Sequence, residues 1–143
     1  MIASAAFTIA LVTCTVAIHS VASYFLIKWG LRASSQSYAR LSAGAAIRVL
    51  ILLLTHTLEV VLWAGVYYLL GYFPDFRDSV YFSVYATLDY GNTVIKEQYR
   101  MLGAVEGLVS LLMMSWSTAL LVGYLQRVYS GLREHWGDSN SHT

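Results

Sequence analysis

Three long apolar segments constrain this chain more than any other feature of its sequence. Residues 2–27 contain no charged side chain, and the segments 45–72 and 101–129 contain two each. A membrane-spanning helix needs about 20 mainly apolar residues, and all three segments reach that length. Only 12% of the 143 residues are charged, roughly half the share in a soluble domain. The sequence therefore predicts an all-α transmembrane protein with three spanning helices.

The distribution of Lys and Arg predicts the orientation. The connection between the first two segments, counted together with the start of the second, carries four basic residues and no acid: Lys28, Arg32, Arg40 and Arg48. Cytoplasmic loops are enriched in Lys and Arg, so this connection is predicted to be cytoplasmic, with the N-terminus outside. Residues 1–32 lack the basic start of a cleaved signal peptide and are expected to form a peripheral transmembrane helix. Residues 130–143 are expected to be a short cytoplasmic tail, disordered after Trp136.

Several functions are disfavoured by composition. The net charge of +1 gives no indication of nucleic-acid binding, and the single cysteine, Cys14, cannot form an intrachain disulfide. Outside the residues discussed below, no Ser-His-Asp set, Gly-rich phosphate loop or metal-ligand cluster of useful spacing is evident in the sequence. We therefore expect neither an enzyme nor a cofactor, apart from permeant or bound cations.

The connection between the second and third segments contains a short apolar run after Pro74. Pro74 and the acids Asp75 and Asp78 are typical of a helix start, which predicts a helix over residues 76–86. Such a helix is about 16 Å long at 1.5 Å per residue, too short to cross a bilayer. A re-entrant helix must return as irregular chain, which is tolerated at that depth only inside protein or beside a water-filled cavity. Residues 87–92 are therefore expected to line a cavity.

These residues read Thr87-Leu88-Asp89-Tyr90-Gly91-Asn92. The hexapeptide and its position resemble the tetrameric pore-loop cation channels, specifically the two-helix potassium-channel-like pore, whose filter reads Thr-x-Gly-Tyr-Gly-Asp. Asp89 replaces the first Gly and Asn92 replaces the Asp. The resemblance covers about residues 49–129. It implies a homotetramer, three further copies of the chain being its partners in the bilayer, and a pore domain over residues 45–129 with outer helix 45–72, pore helix 76–86, filter 87–92 and inner helix 101–129.

Asp89 raises a question of ion selectivity. Thr87-Leu88-Asp89 also resembles the filters of bacterial sodium channels and their calcium-selective relatives, in which a ring of carboxylates faces the pore. That resemblance implies conduction of K⁺, Na⁺ and Ca²⁺ with reduced K⁺ preference, and metal binding at Asp89. Alternatively, Asp89 faces away and bonds to backbone or to Ser83 in a K⁺-selective channel. A non-conducting membrane scaffold or partner subunit is the alternative from another class. We expect the location to be a prokaryotic plasma (inner) membrane.

Several side chains are expected to support this filter. Tyr90 either packs against pore-helix aromatics or belongs to an interfacial aromatic belt. Glu106 is expected to bond to the pore loop from behind. The other expected supports are Tyr81, Phe82, Ser83 and Tyr85. The expected candidates to face the conduit or a neighbouring subunit are Ser110, Met113, Met114, Ser117, Thr118 and Gln126.

Three further ionisable residues lie inside the apolar segments. His56 and Glu59 are three apart and share one helix face. His19 lies at a similar depth, counted from the cytoplasmic ends of the segments. We expect the three to form an intramembrane polar cluster that ties the first helix to the pore domain. A pH-sensing role and a haem bound between the two histidines are the alternatives.

Overall fold

The computed structural model describes residues 2–30, 38–88 and 100–140, and the regular structure in these ranges is helical. The helices are α1 (Ile2–Gly30), α2 (Tyr38–Leu69), α3 (Phe76–Thr87) and α4 (Arg100–Asn140). Three are long and apolar enough to cross a membrane, over Ala6–Lys28, Ser42–Leu69 and Arg100–Ser130. The prediction of an all-helical protein with three candidate spans is therefore confirmed.

The C-terminal end of α4 differs from expectation. The helix continues to Asn140, so the expectation of a disordered chain after Trp136 is wrong for residues 137–140. Helix propagation explains the difference, because extending an existing helix avoids the costly nucleation step.

Side-chain contacts define the directions of the three long helices. Glu59 on α2 meets His19 on α1, and the next turn of α2 places Trp63 against Thr15, one turn earlier on α1. α1 and α2 are therefore antiparallel. The contacts of α2 with α4 show the same relation (Tyr67 with Glu106, His56 with Ser117). α1 and α4 consequently run in the same direction, and they also contact each other through His19 and Ser117.

Polar side chains occupy much of the interior of this bundle. On α1, Leu11, Thr15, His19 and Ser23 recur every four residues and are buried, which places them on one face of the helix. Large apolar side chains cover the outside instead. Such an arrangement suits a bilayer, because hydrocarbon accepts the apolar exterior while polar groups bond to one another inside. The buried polar residues are Thr15, His19, Ser23, Arg48, Thr55, Glu59, Ser79, Ser83, Glu106 and Ser117.

The turn between α2 and α3 is closed by backbone and side-chain caps. Gly71 has φ +70°, a left-handed conformation that glycine adopts without strain. Its N–H donates to the carbonyl of Tyr68 at 3.0 Å, as in a Schellman cap. The Asp75 side chain then accepts from the N–H of Asp78 at 2.9 Å and caps the start of α3. These caps reverse the chain within a few residues and return α3 against α2.

Candidate functional site

The C-terminal end of α3 lies against α4. Thr87, the last residue of α3, donates its hydroxyl to the carbonyl of Ser83 at 2.9 Å, and its Oγ1 is 3.4 Å from the Oγ of Ser110 on α4. Leu88 follows as the helix C-cap. The expected filter residues Asp89, Tyr90, Gly91 and Asn92 lie outside the described residues, so the expectations for their side chains remain predictions.

Helix α4 approaches this end of α3 more closely than a side chain would allow. A Cβ added at Gly107 would lie 2.9 Å from the carbonyl oxygen of Ala86. The contacting atom belongs to the backbone, so it cannot rotate away. Gly107 therefore permits α4 to pack directly against the last turn of α3.

A buried group of three side chains anchors the middle of α3. The hydroxyl of Ser83 is 3.1 Å from the carbonyl of Val60 on α2 and is also hydrogen-bonded to the carboxyl group of Glu106 on α4. Tyr67 on α2 donates its hydroxyl to the other oxygen of that carboxyl group at 2.6 Å. Ser83, Glu106 and Tyr67 are almost fully buried. Glu106 thus joins α2, α3 and α4 immediately behind the end of α3.

The aromatic residues of α3 divide between its two sides. Phe82 is buried and stacks on Phe73 at 5.2 Å between ring centroids, with Tyr67 at 4.9 Å edge-to-face. Tyr81 and Tyr85 are exposed, and their hydroxyl oxygens are 3.0 Å apart. Of the three aromatic residues expected to support the filter, Tyr81 and Tyr85 are therefore the exposed ones. Phe82 instead fixes α3 to α2.

The three expected cluster residues come together, with one addition. Nδ1 of His19 is 2.9 Å from Oε1 of Glu59, and Nδ1 of His56 is 3.0 Å from Oε2. Nε2 of His56 and Nε2 of His19 lie 3.0 and 3.3 Å from the Oγ of Ser117. The ring of Trp116 packs edge-on against His19 at 5.7 Å. The cluster therefore connects α1, α2 and α4.

Two of the α4 residues that were expected to face the conduit or a neighbouring subunit point into the chain instead. Ser117 and Met113 are buried within the single chain, so neither faces a conduit or a neighbouring subunit. Ser117 is instead the partner of both histidines, and Tyr67 is the partner of Glu106. A spacing signal was available for Tyr67, because Glu59, Trp63 and Tyr67 recur every four residues on α2.

Three apolar helices, with a capped short helix held between two of them, define a helical membrane protein. A family model described as "Ion channel" matches residues 55–127, a little over half of the chain. The chain belongs to this ion channel family, which favours a transport function over an enzymatic one. The matched range contains α3, about the C-terminal half of α2 and most of α4, but not α1. No curated protein and no solved structure matches the chain.

Proposed function

We propose that the protein is a homotetrameric cation channel in which α2 is the outer helix, α3 the re-entrant pore helix, residues 87–92 the filter and α4 the inner helix. One observation carries this proposal. Thr87, the first residue of the filter-like hexapeptide, ends a short capped helix and lies 3.4 Å from Ser110 on α4. A filter that begins there starts beside the helix that lines the conduit.

The burial of the long helices supports an assembly of several subunits. Within one chain, 28% of the most apolar stretch is buried for the first and second candidate spans, and 17% for the third, on α4. The least buried helix is therefore the one assigned to the conduit and to contacts between subunits. Because one filter segment cannot enclose a pore, closed rotational symmetry with four copies completes the site.

The proposed filter carries one Asp89 carboxylate from each subunit. Two like charges 4 Å apart repel by about 4 kcal/mol at an effective dielectric constant of 20, so four carboxylates on an axis require cations between them. Carboxylate oxygens are hard ligands that suit Ca²⁺ as well as monovalent ions. We expect K⁺ and Na⁺ to permeate with weak discrimination and Ca²⁺ to permeate or block at this ring.

The proposed location is the plasma membrane of a prokaryote, with the N-terminus outside and the C-terminus in the cytoplasm. This orientation rests on the four basic residues and absent acids between the first two apolar segments. It places residues 87–92 toward the outer side, where ions from the medium reach the filter first.

Reversal potentials in planar bilayers test the proposal, using purified full-length protein under K⁺/Na⁺ and then K⁺/Ca²⁺ gradients. We expect appreciable Na⁺ or Ca²⁺ permeability in the wild type, and a shift toward K⁺ of about tenfold or more, which equals about 1.4 kcal/mol, in Asp89→Gly. Asp78→Asn is the matched control, because it removes an exposed acid from the same connection outside the filter. It should leave selectivity unchanged.

The other outcomes correspond to the alternatives. A wild type that is strictly K⁺-selective means that Asp89 faces away from the ions, and the carboxylate ring is then wrong. Silent bilayers from both proteins, with the tetramer intact, indicate a scaffold or partner subunit rather than a channel.

A further inference from the structure

The buried cluster of His19, His56, Glu59 and Ser117 has a symmetry that helix packing alone does not require. Both imidazoles present Nδ1 to the same carboxylate, at 2.9 and 3.0 Å. Both also present Nε2 to the same hydroxyl, at 3.3 and 3.0 Å. The four contacts close a ring. His19 is fully buried, and 22% of the His56 side chain is exposed.

The ring needs one additional positive charge if all four contacts are to be hydrogen bonds. Each of the four contacts requires one proton between its two heavy atoms. Two neutral imidazoles supply one proton each, the Ser117 hydroxyl supplies one and the ionised carboxylate of Glu59 supplies none. The three protons leave one contact with lone pairs facing each other. A fourth proton completes the ring and makes the four side chains neutral together.

No nearby charged group supplies that positive charge among the described residues. The nearest basic side chains along the three helices are Lys28 on α1, Arg48 on α2 and Arg127 on α4. Each is about 12 Å or more away along its helix at 1.5 Å per residue. The cluster must therefore bind its own cation, and the choice lies between a proton and a metal ion.

The donor atoms suit a transition metal. One ligand atom from each of His19, His56 and Glu59 lies within 4.8 Å of the others. Two imidazoles and one carboxylate are a donor set found in zinc sites that keep a fourth position open. Ligand atoms about 2.0 Å from a tetrahedral ion are about 3.3 Å apart. The two nitrogen–oxygen contacts at 2.9 and 3.0 Å would therefore widen by a few tenths of an ångström, while the three ligand atoms, which lie within 4.8 Å of one another, would draw together around the ion. Imidazole donors favour zinc-like ions over Ca²⁺ and Mg²⁺.

Ser117 supplies the outer contacts that such a site requires. When both Nδ1 atoms bind the ion, each Nε2 carries the proton of its ring and donates to the Ser117 oxygen. That oxygen has two lone pairs and can accept both hydrogen bonds. Histidines that bind metals are held in this way by a hydrogen bond from the opposite ring nitrogen.

We infer that His19, His56 and Glu59 bind one divalent transition-metal ion of the zinc type, with Ser117 as the shared acceptor for both imidazoles. The ion replaces one proton: the protonated ring and M²⁺ give the metal-bound ring and one H⁺. Binding joins α1, which lies outside the family match, to α2 and, through Ser117, to α4. The inference does not depend on which ion the channel conducts.

The test uses the purified full-length protein in detergent after treatment with a chelator. Titration with Co²⁺ should produce the visible absorption of a tetrahedral site, and calorimetry with Zn²⁺ should give one ion per subunit. Calorimetry in buffers of different ionisation enthalpy should show about one proton released per ion, as the ring requires. His19→Gln and His56→Gln should abolish the tetrahedral cobalt spectrum. Ser117→Ala, which retains all three ligands, should weaken binding by about 10- to 100-fold.

Two controls separate this site from other binding places in the chain. The double variant His135→Gln/His142→Gln removes the other two histidines of the sequence and should bind as the wild type does. Asp89→Asn should also bind normally, because the proposed filter ring is a different site. Loss of the cobalt spectrum in either control, with retention in His56→Gln, overturns the inference. Wild-type protein that binds neither Co²⁺ nor Zn²⁺ shows that the ring holds only a proton and also overturns it.

Size-exclusion chromatography identifies variants that fold poorly, so that loss of metal binding is interpreted only for folded protein. Zn²⁺ should raise the unfolding temperature of the wild type and of the tail double variant, but not that of a folded Glu59→Gln protein. Equal stabilisation of Glu59→Gln contradicts the assignment. Reversal potentials measured separately report on Asp89, so failure of this site and failure of the proposed conduction function give different results.

Discussion

The hydrogen bond from Tyr67 to Glu106 offers the sharpest test of how α3 is held. The Tyr67 hydroxyl donates at 2.6 Å to a carboxyl group that Ser83 contacts from the other side. Tyr67→Phe removes only that hydroxyl. The ring remains, with its edge-to-face contact to Phe82 at 4.9 Å. The measured change therefore isolates one hydrogen bond rather than the packing of an aromatic side chain.

The expected magnitude follows from the burial of both partners. A neutral hydrogen bond contributes about 1 kcal/mol net, and one to a charged group about 1.5–3 kcal/mol. Tyr67 and Glu106 are both fully buried, so water cannot replace the lost donor. We expect Tyr67→Phe to lower the free energy of unfolding by about 1–3 kcal/mol per chain, which is about one to two powers of ten in the unfolding equilibrium.

Reversible unfolding in mixed micelles with increasing SDS, followed by tryptophan fluorescence, measures this change. Tyr68→Phe is the matched control, because Tyr68 is the adjacent residue and is 46% exposed. Combining Tyr67→Phe with Ser83→Ala should give non-additive losses, with a coupling of about 0.5–3 kcal/mol, because both side chains bond the same carboxyl group. Equal effects of Tyr67→Phe and Tyr68→Phe, or strict additivity with Ser83→Ala, would refute the reasoning.

Three further predictions use the same unfolding assay. Gly107→Ala should destabilise by about 1–3 kcal/mol, because the new Cβ meets a backbone carbonyl at 2.9 Å, whereas Gly65→Ala, which has open space, should be neutral or stabilising; equal values would contradict the close approach of α3 and α4. Gly44→Ala should change stability by no more than about 0.5 kcal/mol, because the nearest atoms are the ends of side chains, the Tyr124 hydroxyl at 2.8 Å and Nη1 of Arg48 at 3.1 Å; a loss as large as that of Gly107→Ala would be the contrary result. Thr15→Val should cost about 1–3 kcal/mol, since it leaves the Trp63 N–H, now 3.1 Å from Thr15 Oγ1, buried without an acceptor. Thr13→Val, at an exposed threonine of the same helix, is its control, and similar losses would show that the bond to Trp63 contributes nothing.

The sequence predicted the three candidate spans because bilayer thickness fixes a length that apolar segments reveal directly. It also indicated the meeting of His19 with Glu59, since depth can be counted from the ends of the segments. In both cases the sequence gives the depth of a residue in the membrane, a quantity that has no equivalent in a soluble fold.

The inward face of α4 was not predicted, and the reason is physical. A helix that touches lipid on one side and protein on the other is apolar all round, so hydrophobic periodicity carries no direction. The spacing of the buried polar residues indicates which face of α4 points inward. Glu106 and Ser117 are 11 residues apart, close to three full turns, and both are buried. Ser117 was expected at the conduit because only its polarity was considered, without this spacing.

The filter lies beyond what either sequence or fold defines. Thr87 and Leu88 belong to the part of the chain that the structure describes, and residues 89–92 lie outside it. The roles of Asp89, Tyr90, Gly91 and Asn92 remain predictions that reversal potentials can test.

The position of Ser83 has a consequence for how the chain is assembled during synthesis. Ser83 lies 23 residues after Val60 and 23 residues before Glu106, and it contacts both. When α3 leaves the ribosome, α2 already exists, but Glu106 has not been made. The contacts of Glu106 and Gly107 with α3 therefore form only once α4 has entered the membrane. The short helix is thus fixed in two stages, first against α2 and then against α4.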